Sequence, residues 1–343
     1  MRKALREPRK TRMNRLFLLL CVACVSNVLS RTAGATESPP AGTFHFIMEN
    51  DLFYNRDRHY TSGLLFSWSP EESAELWKGT RKWFGLLPWI SKNAGIRDSY
   101  SLGQSIFTPR DIYHDNPPTV DRPYAGWLYG ALHFDMQSGK HSDQIGLTVG
   151  VVGPASFAEQ SQKTCHLFLR ADVPPGWSTQ IENEPGVVLS YQHDRQIISS
   201  TLSSGNDLEV SLHAGMALGN VFTYANSGAT FTYGSRGWGG FSPPRIQPGR
   251  LDRFFGDAPA GFNWKFILGA EARVVARNIF LDGNTFRDSR SVGKKPLVVD
   301  VHFGWSLGWD RIVLSFANVL RSPEVGTQKK CDLFGSIGLS VQF

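Results

Sequence analysis

The sequence predicts an all-β protein, a transmembrane antiparallel β-barrel of about 12 strands with one or two short helices. Three observations lead there. Apolar and polar residues alternate repeatedly beyond residue 42, as strands with two unlike faces require. Several alternating segments outrun the usual strand of a soluble sandwich. Aromatics also gather at strand ends (Trp68, Trp127, Tyr129, Trp305 and Trp309), as interfacial girdles do.

The chain has 343 residues and a net charge of +6. Residues 1–35 hold eight of the 36 Lys and Arg and one of the 30 Asp and Glu, so the rest carries 28 basic and 29 acidic groups. The basicity belongs to the leader, which removes the main argument for a nucleic-acid partner. That leader has a basic segment from Arg2 to Arg15, an apolar core over residues 16–29 and the small-residue site Ala33-Gly34-Ala35. This is the plan of a secretory signal peptide, residues 1–35, cleaved after Ala35 to leave one barrel domain over residues 36–343. Met13 is an alternative start, and a lipoprotein reading at Cys24 fits poorly because Cys21 stands where Leu is wanted. Once the leader is gone, Cys165 and Cys331 remain, and nothing in the sequence requires them to pair.

Strands are expected to begin near residues 43, 60, 98, 124, 141, 184, 207, 226, 262, 297, 310 and 331. The clearest is Leu297–Trp309, where every odd position is apolar and the even ones include Asp300, His302, Gly304, Ser306 and Gly308. The last strand sets Leu333, Ile337, Leu339 and Val341 against Asp332, Ser336, Gly338, Ser340 and Gln342, with Phe334 the exception. In a barrel the apolar face meets lipid and the polar face the lumen, the reverse of a soluble sandwich. The chain ends Val-Gln-Phe, like bacterial outer-membrane barrels.

Two stretches are not strand-like. Residues 71–84 read as a short amphipathic helix after Ser69-Pro70. Residues 154–169 read as a second, opened by Gly153-Pro154, with Phe157, Ser161, Cys165 and Phe168 on one side and Glu159, Gln162 and His166 on another. That polar side must point into the lumen or into a groove beside the wall.

Candidate chemistry is sparse. Glu49-Asn50-Asp51 at the end of the first strand offers oxygen donors of the kind Ca²⁺ takes, although a solvated loop would look the same. Alternation puts Thr61 on the less apolar, lumenal face of the second strand. His166 could act as a general base oriented by a carboxylate, with Asp172 six residues on, or could be one member of a lumenal network. Cys165-His166 is a poor thiol dyad, because adjacent helical residues point about 100° apart. No nucleophile elbow, zinc-protease motif or phosphate-binding loop is present. Lys294-Lys295 could meet lipopolysaccharide phosphate or simply be a solvated turn.

These pieces assemble into a resemblance. Glu49-Asn50-Asp51, His59-Tyr60-Thr61-Ser62-Gly63, Gly103-Gln104 with Phe107-Thr108-Pro109, and Asp121-Arg122-Pro123-Tyr124-Ala125-Gly126-Trp127 occur in that order. Gly150-Val151-Val152-Gly153-Pro154, Gln162, His166, Gly176-Trp177 and Gln180 follow. Together they resemble the outer-membrane lipid A 3′-O-deacylase (LpxR-type) family. The resemblance implies a Ca²⁺-dependent hydrolase that removes the 3′-linked acyloxyacyl group of lipid A in the outer leaflet. It implies an exported, monomeric protein of the bacterial outer membrane, with lipopolysaccharide as its substrate.

By position, the resemblance assigns Asn50 and Asp51 to the metal, Thr61 to the site and His166 to the general base. Arg110 and Gln162 become substrate contacts. Where the family has Glu this chain has Asp172, one methylene shorter, and where the family has a Lys-Arg pair it has Arg110 alone. The alternatives are a hydrolase of another outer-leaflet lipid ester, and a non-catalytic porin or structural barrel.

Overall fold

In a barrel without edges every strand satisfies its backbone groups on both sides, the condition for sheet inside a membrane. The computed structural model of the chain meets it. The structure describes residues 42–54, 59–71, 94–238, 244–247 and 260–343, with residues 79, 84 and 87–91. The expected signal peptide and most of the helix expected over residues 71–84 lie outside the described residues.

Twelve strands follow in chain order: β1 (Gly42–Asn50), β2 (His59–Pro70), β3 (Gly95–Thr108), β4 (Ala125–Ser138), β5 (His141–Val152) and β6 (Glu184–Thr201), then β7 (Asp207–Gly219), β8 (Phe222–Gly234), β9 (Phe262–Asn278), β10 (Leu297–Trp309), β11 (Ile312–Arg321) and β12 (Asp332–Gln342). Each pairs antiparallel with its neighbours in sequence, and β1 closes the cylinder against β12, from Thr43 opposite Gln342 to Asn50 opposite Gly335. Helix α1 spans Ala158–Leu169, and the single turn α2 spans Ile279–Asp282. Among the described residues no helix is long and apolar enough to cross a membrane, and strands of this length cross instead.

The expected inversion of faces is present. Along β10, Leu297, Val301, Phe303, Trp305, Leu307 and Trp309 are exposed on the outer wall, while Asp300, His302 and Ser306 are buried in the lumen. Lipid solvates the first set, and hydrogen bonding satisfies polar groups of the second, such as Ser306 Oγ to Ser315 Oγ at 2.7 Å. Girdle aromatics meet at the end where β1 begins and β12 finishes, Trp68 with Phe343 and Phe262 with Trp309.

Several details depart from the sequence reading. Trp127 and Tyr129 are not girdle residues. They are 2% and 7% exposed and point inward, where Trp127 packs against Phe222 and Phe280. Strand β8 begins at Phe222 rather than near 226; its first residues pair with the end of β9, where Ala276 is the extra residue of a register shift. Phe334, the exception in β12, is lumenal: it meets Tyr60 edge-on, with Arg245 and Arg321 over its ring. Cys165 and Cys331 are not joined in a disulfide.

Among the described residues, side chains cross the lumen from wall to wall. The β8–β9 connection leaves from the end where β1 begins, yet its residues Arg245 and Ile246 reach Glu49, the last residue but one of β1 at the opposite end. Asp300 accepts from Arg245, Arg273 and Arg321 at 2.8–3.0 Å. At the loop end, Phe280 of α2 stacks on Phe107 at 4.0 Å, and the Asn278 side chain caps the turn at Phe280 N. A cavity of about 70 Å³ remains between these layers.

Candidate active site

Helix α1 rests on the outside of the barrel wall. Trp127 and Tyr129 point inward, so alternation turns Gly126 outward; a Cβ there would lie 2.2 Å from both Ala158 Cβ and Ser156 Oγ. Only a glycine lets the helix come this close. Ile106, on the outer face of β3, joins Tyr124, Ala158 and Trp177 in one buried apolar cluster. Gln104 Nε2 donates to the Ser156 carbonyl at 2.7 Å and ties down the turn before the helix. The sequence left lumen and wall groove open for this helix; the structure selects the groove.

The helix is turned inside out relative to one packed on a soluble core. The side with Ala158, Gln162 and His166 is buried against the wall, while Phe157, Leu167 and Phe168 are exposed. An amphipathic helix takes this orientation when its polar face has partners inward and its apolar face has lipid outward. A short 3₁₀ turn, Pro154–Ser156, precedes it, and Phe157 joins the two at φ 57°.

His166 and Gln162 are each held from the segment after the helix. Arg170, at φ 54°, ends α1 in a left-handed cap, so the chain turns back and Ala171 N donates to the His166 carbonyl. The Asp172 carbonyl oxygen then lies 2.6 Å from His166 Nδ1, while the Asp172 side chain is exposed. The contact the sequence assigned to a carboxylate is therefore made by the backbone. Farther on, buried Trp177 donates its indole N–H to Gln162 Oε1 at 2.8 Å and packs on Tyr124 at 4.9 Å between ring centres.

Asn50, Asp51 and Thr61, the other candidate residues, are all buried at the loop ends of β1 and β2. Asp51 N donates to the Thr61 carbonyl, and the Asp51 carbonyl accepts from Tyr54 N. Thr61 corrects the expectation of a simple lumenal position. A register shift between Tyr60 and Ser62 makes Thr61 the extra residue of a bulge. Tyr60 takes the lumenal place, and the Thr61 hydroxyl lies 2.7 Å from that of Thr108. By alternation Thr108 shares the outer face of β3 with Gln104 and Ile106, the face that α1 covers. Strand β3 thus lies against both α1 and Thr61.

Arg110, two residues beyond Thr108, lines a cleft of about 800 Å³ with Tyr113, His114, Lys329 and Lys330. Lys294, considered as a phosphate contact, instead pairs with Asp282 at 2.6 Å. Gly126, Thr108 and Trp177 are the structural members of the site that residue chemistry did not single out.

As metal donors, Asn50 and Asp51 offer oxygen only, the donor type of a hard cation such as Ca²⁺. Among the described residues no group of three His, Cys, Asp or Glu side chains is placed to hold a metal. A cation here would thus take much of its coordination from neutral oxygens.

The family model described as outer membrane protein LpxR matches residues 16–343. The chain belongs to the LpxR family. LpxR from Salmonella typhimurium shares this fold, with a TM-score of 0.71 at 19% identity over 88% of this chain and 100% of that one. The β domain of the Bordetella autotransporter BrkA covers 89% of the chain and matches at a TM-score of only 0.44 and 9% identity. The outer membrane enzyme PagL covers 46% of this chain, with a TM-score of 0.26 and 12% identity. None of the curated proteins compared by sequence matches the chain. Membership of the LpxR family makes it an outer-membrane β-barrel protein, in agreement with its apolar outer wall.

Proposed function

We propose that this LpxR-family protein is a lipid A 3′-O-deacylase, which hydrolyses the ester of the 3′-linked acyloxyacyl group in the outer leaflet. The observation that supports it most is the orientation of His166: buried under α1 against the wall, with Nδ1 on the Asp172 carbonyl. An acceptor at Nδ1 fixes the proton on that nitrogen, so the lone pair sits on Nε2, the atom a general base uses.

In this reading Nε2 of His166 takes a proton from water as the water attacks the ester carbonyl, and returns it to the leaving alkoxide. No Ser or Cys nucleophile is needed, in keeping with the lack of a nucleophile motif. Ca²⁺ held by Asn50 and Asp51 would supply Lewis-acid polarisation of the ester carbonyl. Gln162, braced by Trp177, and Thr61, braced by Thr108, orient the substrate across the groove. Exposed Phe157, Leu167 and Phe168 place the helix in contact with acyl chains, so a substrate can reach the groove from the membrane. Arg110 contacts the sugar headgroup from its cleft. Export by the 1–35 signal peptide and a monomeric state complete the proposal.

The porin alternative is disfavoured by the lumen, where Arg245, Arg273 and Arg321 converge on Asp300. Mass spectrometry of lipid A from cells producing the protein, beside a His166→Ala control, tests the reading. Loss of the 3′ acyloxyacyl mass in the wild type alone supports it. Unchanged lipid A from folded protein in the outer membrane overturns it.

A further inference from the structure

Glu49 immediately precedes Asn50 and Asp51, but alternation turns it to the lumen, where it is 1% exposed. Two of its contacts come from the connection that starts at the far end of the barrel. Arg245 Nε donates to Glu49 Oε1 at 3.0 Å and Ile246 N to the same oxygen at 3.1 Å. The Arg245 guanidinium also reaches Asp300, so it ties the tip of β1 to β10 across the lumen.

The same insertion touches β2. A Cβ on Gly63, which pairs with Glu49, would lie 3.0 Å from Ile246 Cδ1 and 2.1 Å from the Tyr60 hydroxyl. Tyr60 precedes Thr61. The inserted loop therefore lies against the ends of both strands, at Glu49 of β1 beside Asn50 and Asp51 and at Gly63 of β2 beside Thr61.

We propose that Arg245 is a positioning residue: through Glu49 it holds the end of β1 in the geometry Asp51 needs to bind its cation. This rests on the reading of Asn50 and Asp51 as a Ca²⁺ site. Arg245, Glu49 and Asp300 are all buried, and removing one partner of a buried ion pair leaves an uncompensated charge, so loss of Arg245 must disturb Glu49 at the tip of β1. Groups that orient metal ligands are worth about 10- to 100-fold in metal affinity.

The test uses full-length protein in detergent, with folding checked by heat-modifiable migration on gels. Ca²⁺-dependent thermal stabilisation gives the half-saturating Ca²⁺ without reference to activity, and the Ca²⁺ dependence of lipid A deacylation gives it a second time. For Arg245→Met the half-saturating Ca²⁺ is expected to rise about tenfold or more by both readouts, with activity recovering at saturating Ca²⁺. Arg273→Met, which loses the same Asp300 contact without touching Glu49, is expected to keep the wild-type value. A wild-type value for Arg245→Met, or equal rises in both variants, overturns the proposal. Should Arg245→Met fail to fold, Arg245→Lys decides it in the same way, an unchanged value overturning and a raised one supporting. A wild-type protein that deacylates lipid A but shows no Ca²⁺-dependent shift removes the metal site, and the positioning role with it. A wild-type protein that shifts with Ca²⁺ but leaves lipid A intact removes the deacylase reading and leaves the positioning role standing.

Discussion

His166 Nδ1 lies 2.6 Å from the backbone carbonyl oxygen of Asp172, a contact made possible by the left-handed Arg170 that turns the chain back over the end of α1. A backbone acceptor fixes the tautomer as well as a carboxylate does and is indifferent to side-chain length. The orientation of the His166 ring therefore does not depend on the length of the side chain at position 172.

Asp172→Ala is accordingly expected to stay within about tenfold of the wild-type rate, whereas His166→Ala loses about 10²- to 10⁴-fold, the usual contribution of a general base. A time course of lipid A deacylation by purified protein separates the two. A loss in Asp172→Ala as deep as that in His166→Ala would show that the carboxylate, not the carbonyl, does the work.

Much of this was legible in residue order. A barrel needs little more than alternation and length, and both are printed along β10 and β12. The expected strand starts lie within four residues of the observed ones. What alternation could not show is where it breaks. Thr61 sits on a bulge, which removes the parity rule at the one position where it mattered. Trp127 and Tyr129 looked like girdle residues because aromatics at strand ends serve both membrane interfaces and lumenal packing. The lumenal insertion was illegible for another reason: Arg245 meets Glu49 across 196 residues of sequence, and no local pattern encodes that distance.

Gly126 is the position where the wall and α1 meet most closely. In Gly126→Val the new Cβ would overlap Ala158 Cβ, which belongs to the helix and cannot rotate away. The strand ladder is unaffected, so the barrel should still fold and migrate as a heat-modifiable band. The helix should lift from the wall, with faster tryptic cleavage at Lys163 or Arg170 and a large drop in deacylation. Wild-type proteolysis of this variant would mean that the groove is wider than its glycine implies.

Gln162 and Trp177 should behave as a unit. Trp177→Phe removes the indole donor from the buried Gln162 Oε1, a change of about 1–3 kcal/mol for a buried polar group. If Trp177 serves the site by holding Gln162, then Gln162→Ala and Trp177→Phe are non-additive: the double variant is no slower than Gln162→Ala alone. A double-mutant cycle on kcat/KM measures the coupling, and strict additivity would leave Trp177 as a packing residue only.

Oxygen donors select among cations by size as well as by charge. Ca²⁺ accepts six to eight oxygens in irregular arrangements, whereas Mg²⁺ demands a near-octahedral set and gives up water reluctantly. Asn50 and Asp51 supply two oxygen-bearing side chains at the end of β1, so neutral oxygens and water would complete the larger, irregular set that Ca²⁺ tolerates. Deacylation is therefore expected to cease in a chelator, to return with Ca²⁺ and to stay low with Mg²⁺ at the same concentration. Asp51→Asn keeps the side chain's shape and removes its charge, so it should raise the Ca²⁺ requirement without disturbing His166. Titration of activity against each cation in wild type and variant checks both points, and equal rescue by Mg²⁺ would sink the assignment of this site to Ca²⁺.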